Sequence, residues 1–302
     1  MSLTPKVLAL VWSTASGKSA TAHRFARERG DVEILSVDSM TVYRGMDIGT
    51  AKPTPVEQQE VRYHLLDIVD ASDTFTVADF QRAARAALAE VASRGHIALL
   101  VGGTGLYGRA VIDNFTIPGE YPALRASLNA RAERDLAAMF AELADKDPSA
   151  AEKIEPTNAR RIVRALEVIE GSGQLFSSFG PGLRAYFDSP VPQVGIQPPV
   201  EEIDANIERR YRAWIDGGLI DEFKELRSNP KGLSRTAAQA VGYKELVPFL
   251  EGESDLEACI QAATLATRQL VRRQRAWFRR DPRIEWFETA EEVTQRLSTL
   301  VG

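Results

Sequence analysis

Val7-Leu-Ala-Leu-Val-Trp12-Ser-Thr-Ala-Ser-Gly17-Lys18-Ser19 decides the fold of this chain. Its five leading apolar residues read as a buried strand, and the run from Ser19 to Arg29 reads as a helix. Between them lies most of a Walker A loop, G-x-x-x-x-G-K-[ST]. In such a loop backbone N–H groups wrap one phosphate, the lysine ammonium reaches another, and the hydroxyl holds Mg²⁺. Gly17, Lys18 and Ser19 stand at the right spacing, with Ser19 as the metal ligand. Trp12 takes the place of the first glycine. If that position needs a positive φ, a bulky side chain there costs about 1–2 kcal/mol and crowds the ligand. Taken alone, the loop is also compatible with a turn that merely resembles a phosphate site.

Working outward, apolar runs alternate with helical ones. Val32–Val37, Tyr63–Val69 and Ile97–Val101 read as strands, and 77–93 reads as a helix with Val77, Phe80, Ala84, Leu88 and Val91 inward. This alternation predicts an α/β fold, a doubly wound parallel sheet of the P-loop NTPase type. The loop, Asp38 and Gly102-Gly103-Thr104 each follow a strand, so all three are expected to face one crevice. From Pro118 to Gly171 the pattern is helical only, and 172–200 is rich in Gly, Pro, Ser and Phe, as in a long returning loop. From Val200 the chain reads as helical again. The expected division is a catalytic core of residues 1–117 and 196–302 with an all-helical insertion at 118–195.

The chain has 302 residues, 44% of them apolar, enough for a large domain and a smaller one. A single cysteine, Cys259, excludes a disulfide framework and a Cys-rich zinc site, and reads as a small core residue. No apolar run approaches the roughly 18 residues of a membrane span, and no signal peptide is evident, so a cytoplasmic location without membrane contact is expected. A net charge of −5 confines any RNA contact to local patches. One patch is the helix carrying Arg268, Arg272, Arg275 and Arg279 at i, i+4, i+7 and i+11, opposite Leu256, Ile260, Ala263 and Leu270. Arg272 and Arg279 are the expected phosphate contacts there; the competing reading is a solvated charged face. Arg160, Arg161 and Arg164 form a second cluster, on a helix that also carries Ile162, Val163, Leu166 and Val168.

Five further segments carry a resemblance. They are Asp38-Ser-Met-Thr-Val-Tyr43-Arg44-Gly-Met-Asp47-Ile-Gly49-Thr50-Ala51-Lys52-Pro53, Val101-Gly-Gly-Thr104-Gly105-Leu-Tyr107, Arg161-Ile-Val-Arg164-Ala-Leu-Glu167-Val, Gln239-Ala-Val-Gly242-Tyr243-Lys244-Glu245 and Arg273-Gln274-Arg-Ala-Trp277-Phe278-Arg279-Arg280-Asp281. In this order they resemble the tRNA dimethylallyltransferases, of the bacterial kind without a C-terminal zinc finger. The resemblance implies transfer of a five-carbon group from dimethylallyl diphosphate to N6 of an adenosine beside the tRNA anticodon, with Mg²⁺ as cofactor and a monomer as the working unit. It implies Asp38 as the base, and Asp38, Lys18 and Thr14 as the catalytic set. It makes Thr14, Ala15, Ser16, Gly17, Lys18 and Ser19 the diphosphate segment. It implies tRNA contacts at Asp38, Ser39, Met40, Thr41, Thr104 and Arg125, and along Arg160, Arg161, Ile162, Val163 and Arg164, within a helical insertion that holds the anticodon stem-loop.

Three positions depart from the family pattern. Relatives commonly read Gly-Pro-Thr where this chain has Trp12-Ser13-Thr14, and Gln where Thr41 stands. They favour Arg-Ile-x-x-Arg where this chain reads Asn206-Ile207-Glu208-Arg209-Arg210, so an arginine near the diphosphate is missing unless Arg209 or Arg210 replaces it. Two other functions stay open: a small-molecule kinase on the same core, and a tRNA-binding protein whose diphosphate site Trp12 has sacrificed.

Overall fold

A computed structural model describes residues 6–180, 182–183 and 185–302. It separates two compact units, residues 114–187 and the chain on either side of them. The strands are β1 (Val7–Val11), β2 (Val32–Ser36), β3 (Tyr43–Arg44), β4 (Tyr63–His64), β5 (Val69–Asp70), β6 (Ile97–Gly102), β7 (Gln193–Ile196) and β8 (Ile284–Phe287). Six of them form one parallel sheet in the order β4-β2-β6-β1-β7-β8, and β3 pairs with β5. Leu8, Leu10, Leu99 and Leu100 are buried, as expected of central parallel strands covered on both faces. The chain leaves β1 toward one side of the sheet and later adds β7 on the other, so a crevice opens beyond the carboxyl end of β1.

Around that sheet lie α1 (Lys18–Arg29), α2 (Pro55–Glu60), α3 (Val77–Ser93) and α4 (Gly105–Ile112). The helical unit holds α5 (Pro122–Arg134), α6 (Leu136–Lys146), α7 (Pro148–Ala151) and α8 (Ala159–Ser172). Then follow α9 (Val200–Asp216), α10 (Leu219–Ser228), α11 (Val247–Leu250), α12 (Leu256–Phe278) and α13 (Ala290–Val301). Capping boxes start α3, through Thr76 and Asp79, and α13, through Thr289 and Glu292. Cys259 is buried in α12 beside Ile260 and Ala263.

Four expectations need correction. Tyr63–Val69 is not one strand: Leu65 and Asp67 take left-handed backbone, φ 67° and 53°, which ends β4 and turns the chain toward β3. The 172–200 segment is not all loop, because Gln193–Ile196 enters the sheet between β1 and β8. The region after Val200 contains a strand as well as helices, because Ile284–Phe287 forms β8, paired in parallel with β7. For the same reason residues 188–195 go with the sheet, and the helical unit is 114–187 rather than 118–195.

Glu33 is the exception among the apolar strands. It is buried, yet Arg94, His64 and His96 all bond its carboxylate, at 2.6 to 2.9 Å. Burial alone works to raise its pKa, but the bonds from Arg94 and His64 and their charges outweigh this and hold it down at about 2. A folded pKa below the unfolded one stabilises the fold above the unfolded value, and that contribution is lost as pH falls from 4.5 toward 2. The shift is worth on the order of 3 kcal/mol. Urea midpoints measured across this window should fall more steeply in the native chain than in Glu33→Gln, which keeps only the acid sensitivity of the other paired carboxylates such as Glu167.

The smaller unit buries Leu128, Met139, Leu143, Ile162 and Leu166 in a core of its own. Beside that core the fully buried Glu167 accepts the Tyr121 N–H at 2.7 Å and two bonds from Arg125 at 2.8 and 3.0 Å. Burial works to raise the Glu167 pKa, and the bonds from Arg125, Tyr121 N–H and Arg164 overcome it and hold it low.

Candidate active site

Gly17 opens α1 with φ 83°, and no side chain caps the helix. Ala15 also takes left-handed backbone, φ 62°. These two residues turn the loop back so that the first N–H groups of α1 and the positive end of its dipole face outward, an arrangement that suits an anion. Ser16 Oγ and Lys18 Nζ donate to the Ser13 carbonyl at 3.0 and 3.4 Å. Ser13 Oγ and Arg210 Nε are buried with no described hydrogen-bond partner, unusual for native polar atoms and understandable beside a polar ligand. Ser19 is exposed in the first turn, and its hydroxyl has no described partner. Among the described residues no cluster of three His, Cys, Asp or Glu is placed to hold a metal. The Ser19 hydroxyl, unpartnered among the described residues, fits the place a Walker A loop gives to its protein ligand for Mg²⁺, whose other positions phosphate oxygens and water would fill.

Two cations frame the loop. From α9, Arg210 Nη2 donates to Thr14 Oγ1 at 3.0 Å and its guanidinium lies over the Trp214 ring at 4.6 Å. Asn206 donates to the Ala15 carbonyl at 3.3 Å, whereas Arg209 is exposed and bonds back to Asn206. Arg210, not Arg209, is therefore the arginine of this helix that meets the loop. Burial pushes Lys18 down to about 8, with Asp38 opposing and Arg210 adding to the shift. Burial likewise pushes Arg210 down to about 10 against the pull of Asp38. Two partly desolvated cations and one carboxylate leave an excess of positive charge that an anionic ligand would relieve.

Asp38 follows β2 and accepts the Met40 N–H through Oδ1 at 2.9 Å, an Asx turn that fixes the carboxylate. Its Oδ2 has no described hydrogen-bond partner. The Ser39 N–H donates to Thr104 Oγ1 at 3.1 Å, tying the Asp38 turn to the end of β6. A Cβ on Gly103 would sit 2.5 Å from Gln274 Nε2 and 3.0 Å from the Trp12 carbonyl, so a larger residue there would displace the Gln274 amide. Glu222 accepts the N–H groups of Asp47 and Ile48 and the Tyr243 hydroxyl, which also takes the Gly49 N–H at 3.1 Å. The signature around Asp47–Lys52 thus serves largely to fasten the loop that follows Asp38.

Trp12 has φ 156°, in the region that favours glycine. Its indole does not crowd the loop's outer face. It is fully buried, edge-on to Trp286 at 4.5 Å and 6.5 Å from Phe278, with Arg275 and Arg279 each 5.9 Å from the ring. The arginine stripe of α12 therefore runs beside the loop. Burial, then the adjacent Arg279 charge, holds the Arg275 guanidinium below its usual range.

The IPP transferase family model matches residues 41–281. The chain belongs to the IPP transferase family. A tRNA dimethylallyltransferase of Salinispora arenicola is 46% identical, covering 94% of this chain and 82% of its own. One from Acidothermus cellulolyticus is 44% identical over 96% of this chain and 91% of its own. The crystal structure of the full-length tRNA isopentenylpyrophosphate transferase from Bacillus halodurans superposes with a TM-score of 0.70 at 36% identity, covering 98% and 96% of the two chains.

In this IPP transferase the larger unit gathers Thr14 to Ser19, Asp38, Ser39, Met40 and Thr104 around one crevice, with Arg272 exposed on α12 and Arg279 exposed at its C-cap. Thr41 is different: it is buried, with its hydroxyl 3.0 Å from Ser36 Oγ, so its side chain is not presented to a ligand. Arg125 and the 160–164 stretch lie in the helical unit. Ile162 and Val163 are core residues there, so their side chains are unavailable to tRNA. Arg164 bonds the carbonyls of Pro118 and Gly119, and Arg125 is held by Glu167. Arg160 and Arg161 are exposed, with no ion-pair partner among the described residues. The residue that sequence reasoning missed is Gln274. Its signal was an uncharged amide within the arginine-rich run Arg272-Arg273-Gln274-Arg275.

Proposed function

We propose that this enzyme transfers the dimethylallyl group of dimethylallyl diphosphate to N6 of an adenosine next to the tRNA anticodon, releasing pyrophosphate. One observation carries this reading: an uncapped helix start with Lys18 and Arg210 shares its crevice with a carboxylate, Asp38, that has an oxygen to spare. In the reaction the allylic C–O bond breaks and its electron pair leaves with pyrophosphate, while the N6 lone pair forms the new N–C bond. Lys18, Arg210 and the loop N–H groups stabilise the charge that grows on the leaving group, in place before the reaction begins. Asp38 Oδ2 takes the N6 proton, which matters because that amine is a poor nucleophile, its lone pair conjugated into the purine. Ser19 and the phosphate oxygens would hold Mg²⁺, which would neutralise diphosphate charge when bound.

The target base must leave the anticodon stack, and single-stranded loops allow that at low cost. The exposed Arg160 and Arg161 support assigning the anticodon stem-loop to the helical unit, and Arg272 and Arg279 support a backbone contact on α12. Arg272→Ala and Arg279→Ala should each weaken tRNA binding and reduce the log–log salt slope by roughly 0.7–0.9, measured by titration at increasing salt. An unchanged slope would make the stripe an ordinary solvated face. Melting curves separate the transferase from a kinase on the same core. Dimethylallyl diphosphate with Mg²⁺ should raise the melting temperature. Stabilisation by ATP with Mg²⁺ alone would favour the kinase.

A further inference from the structure

We propose that Gln274 is a positioning residue that sets the distance between the diphosphate loop and the adenosine side of the site. Its Oε1 accepts the Thr14 N–H at 2.9 Å, and its Nε2 donates to the Gly103 carbonyl at 2.9 Å. A backbone N–H can only donate and a carbonyl can only accept, so these two contacts also fix which way the amide points. Gly103 adjoins Thr104, whose hydroxyl takes the Ser39 N–H beside Asp38. One side chain from α12 thereby links Thr14 of the phosphate loop to the turn that holds Asp38. The amide supplies a donor and an acceptor at this length at any pH near neutrality, which close substitutes do not: Asn is one methylene short, ionised Glu loses the donor, and Lys loses the acceptor.

The arrangement has a chemical use. Transfer requires the allylic carbon, held through its diphosphate, to meet N6 in line, and a misplacement of about 1 Å costs on the order of 10²-fold in rate. The same helix carries Arg272 and Arg275, with Arg279 at its C-cap, so a tRNA backbone resting on α12 would bear on the element that holds Thr14. A Cβ on Gly103 would collide with the amide, so the turn is shaped around this contact.

This inference rests on the transferase reading, and its test uses the full chain with Gln274→Met and Gln274→Glu. Met is close in size and removes both bonds. Glu keeps the Thr14 bond but sets a carboxylate oxygen against the Gly103 carbonyl, unless it is protonated, when its O–H donates as the amide did. We expect kcat to fall about 10- to 100-fold in both at neutral pH, with tRNA affinity and melting temperature close to those of the native chain. As pH is lowered from about 8 to 5, Gln274→Glu should regain activity relative to the native chain while Gln274→Met should not. A purely structural glutamine would not produce that difference between the two pH profiles. Native kcat in both variants overturns the proposal, as do losses that track melting temperature with parallel pH profiles. If the native chain transfers no dimethylallyl group, the functional reading fails by itself. The tie is then read from affinity for pyrophosphate with Mg²⁺, which should weaken at least about 10-fold in Gln274→Met, and native affinity there overturns it.

Discussion

Asp38→Ala should lower the turnover of dimethylallyl transfer by about 10²–10⁴-fold while leaving tRNA affinity nearly unchanged. The Asx turn to Met40 uses only one oxygen of the carboxylate, so the variant loses the proton acceptor and one loop hydrogen bond. The neighbouring tie from the Ser39 N–H to Thr104 remains, which is why binding should survive. Single-turnover rates on preformed tRNA complex, beside a binding titration, check this. Lost tRNA binding with normal turnover of the bound complex would reassign Asp38 to holding the RNA. Asp38 also lies close enough to Lys18 and Arg210 to favour their charged forms. Removing it should therefore shift the acid–base behaviour of those cations downward as well.

The second large effect concerns Trp12. Two terms oppose each other in Trp12→Gly. Glycine relieves the strain at φ 156°, about 1–2 kcal/mol. It also deletes a fully buried indole packed on Trp286 and Phe278, a loss of roughly 3–5 kcal/mol. Packing wins. The variant should melt several degrees lower, and affinity for pyrophosphate with Mg²⁺ should weaken as the loop loses the ring that backs it. Calorimetric titration beside a melting curve gives both numbers. Tighter binding at an unchanged melting temperature would mean that Trp12 is a defect in the loop.

Much of this architecture was legible because it is written locally. Val7–Val11 and Ile97–Gly102 are apolar throughout, and Gly17-Lys18-Ser19 marks the helix start, so the central strands and the loop follow from pattern alone. The edge of the sheet did not. β7 and β8 have four residues each, too few for a period, and β7 lies in a segment whose Pro and Gly content reads as loop. Site residues divide in the same way. Lys18, Ser19 and Asp38 announce themselves by position after strands, whereas Gln274 acts on Thr14 and Gly103, 260 and 171 residues away. Long-range pairing leaves no local signature. Thr41, Ile162 and Val163 show the converse, since segments that resemble a binding stretch contain side chains that serve the core. The Trp12 reading changed because sequence shows what replaces a glycine but not where the ring points.

The most direct test is mass spectrometry of the nucleosides of unmodified tRNA incubated with the native chain, Mg²⁺ and dimethylallyl diphosphate. The expected result is one adenosine per tRNA, next to the anticodon, gaining a five-carbon dimethylallyl group on N6, with pyrophosphate released in equal amount. A chain that binds this tRNA yet leaves every adenosine unmodified would contradict the assignment.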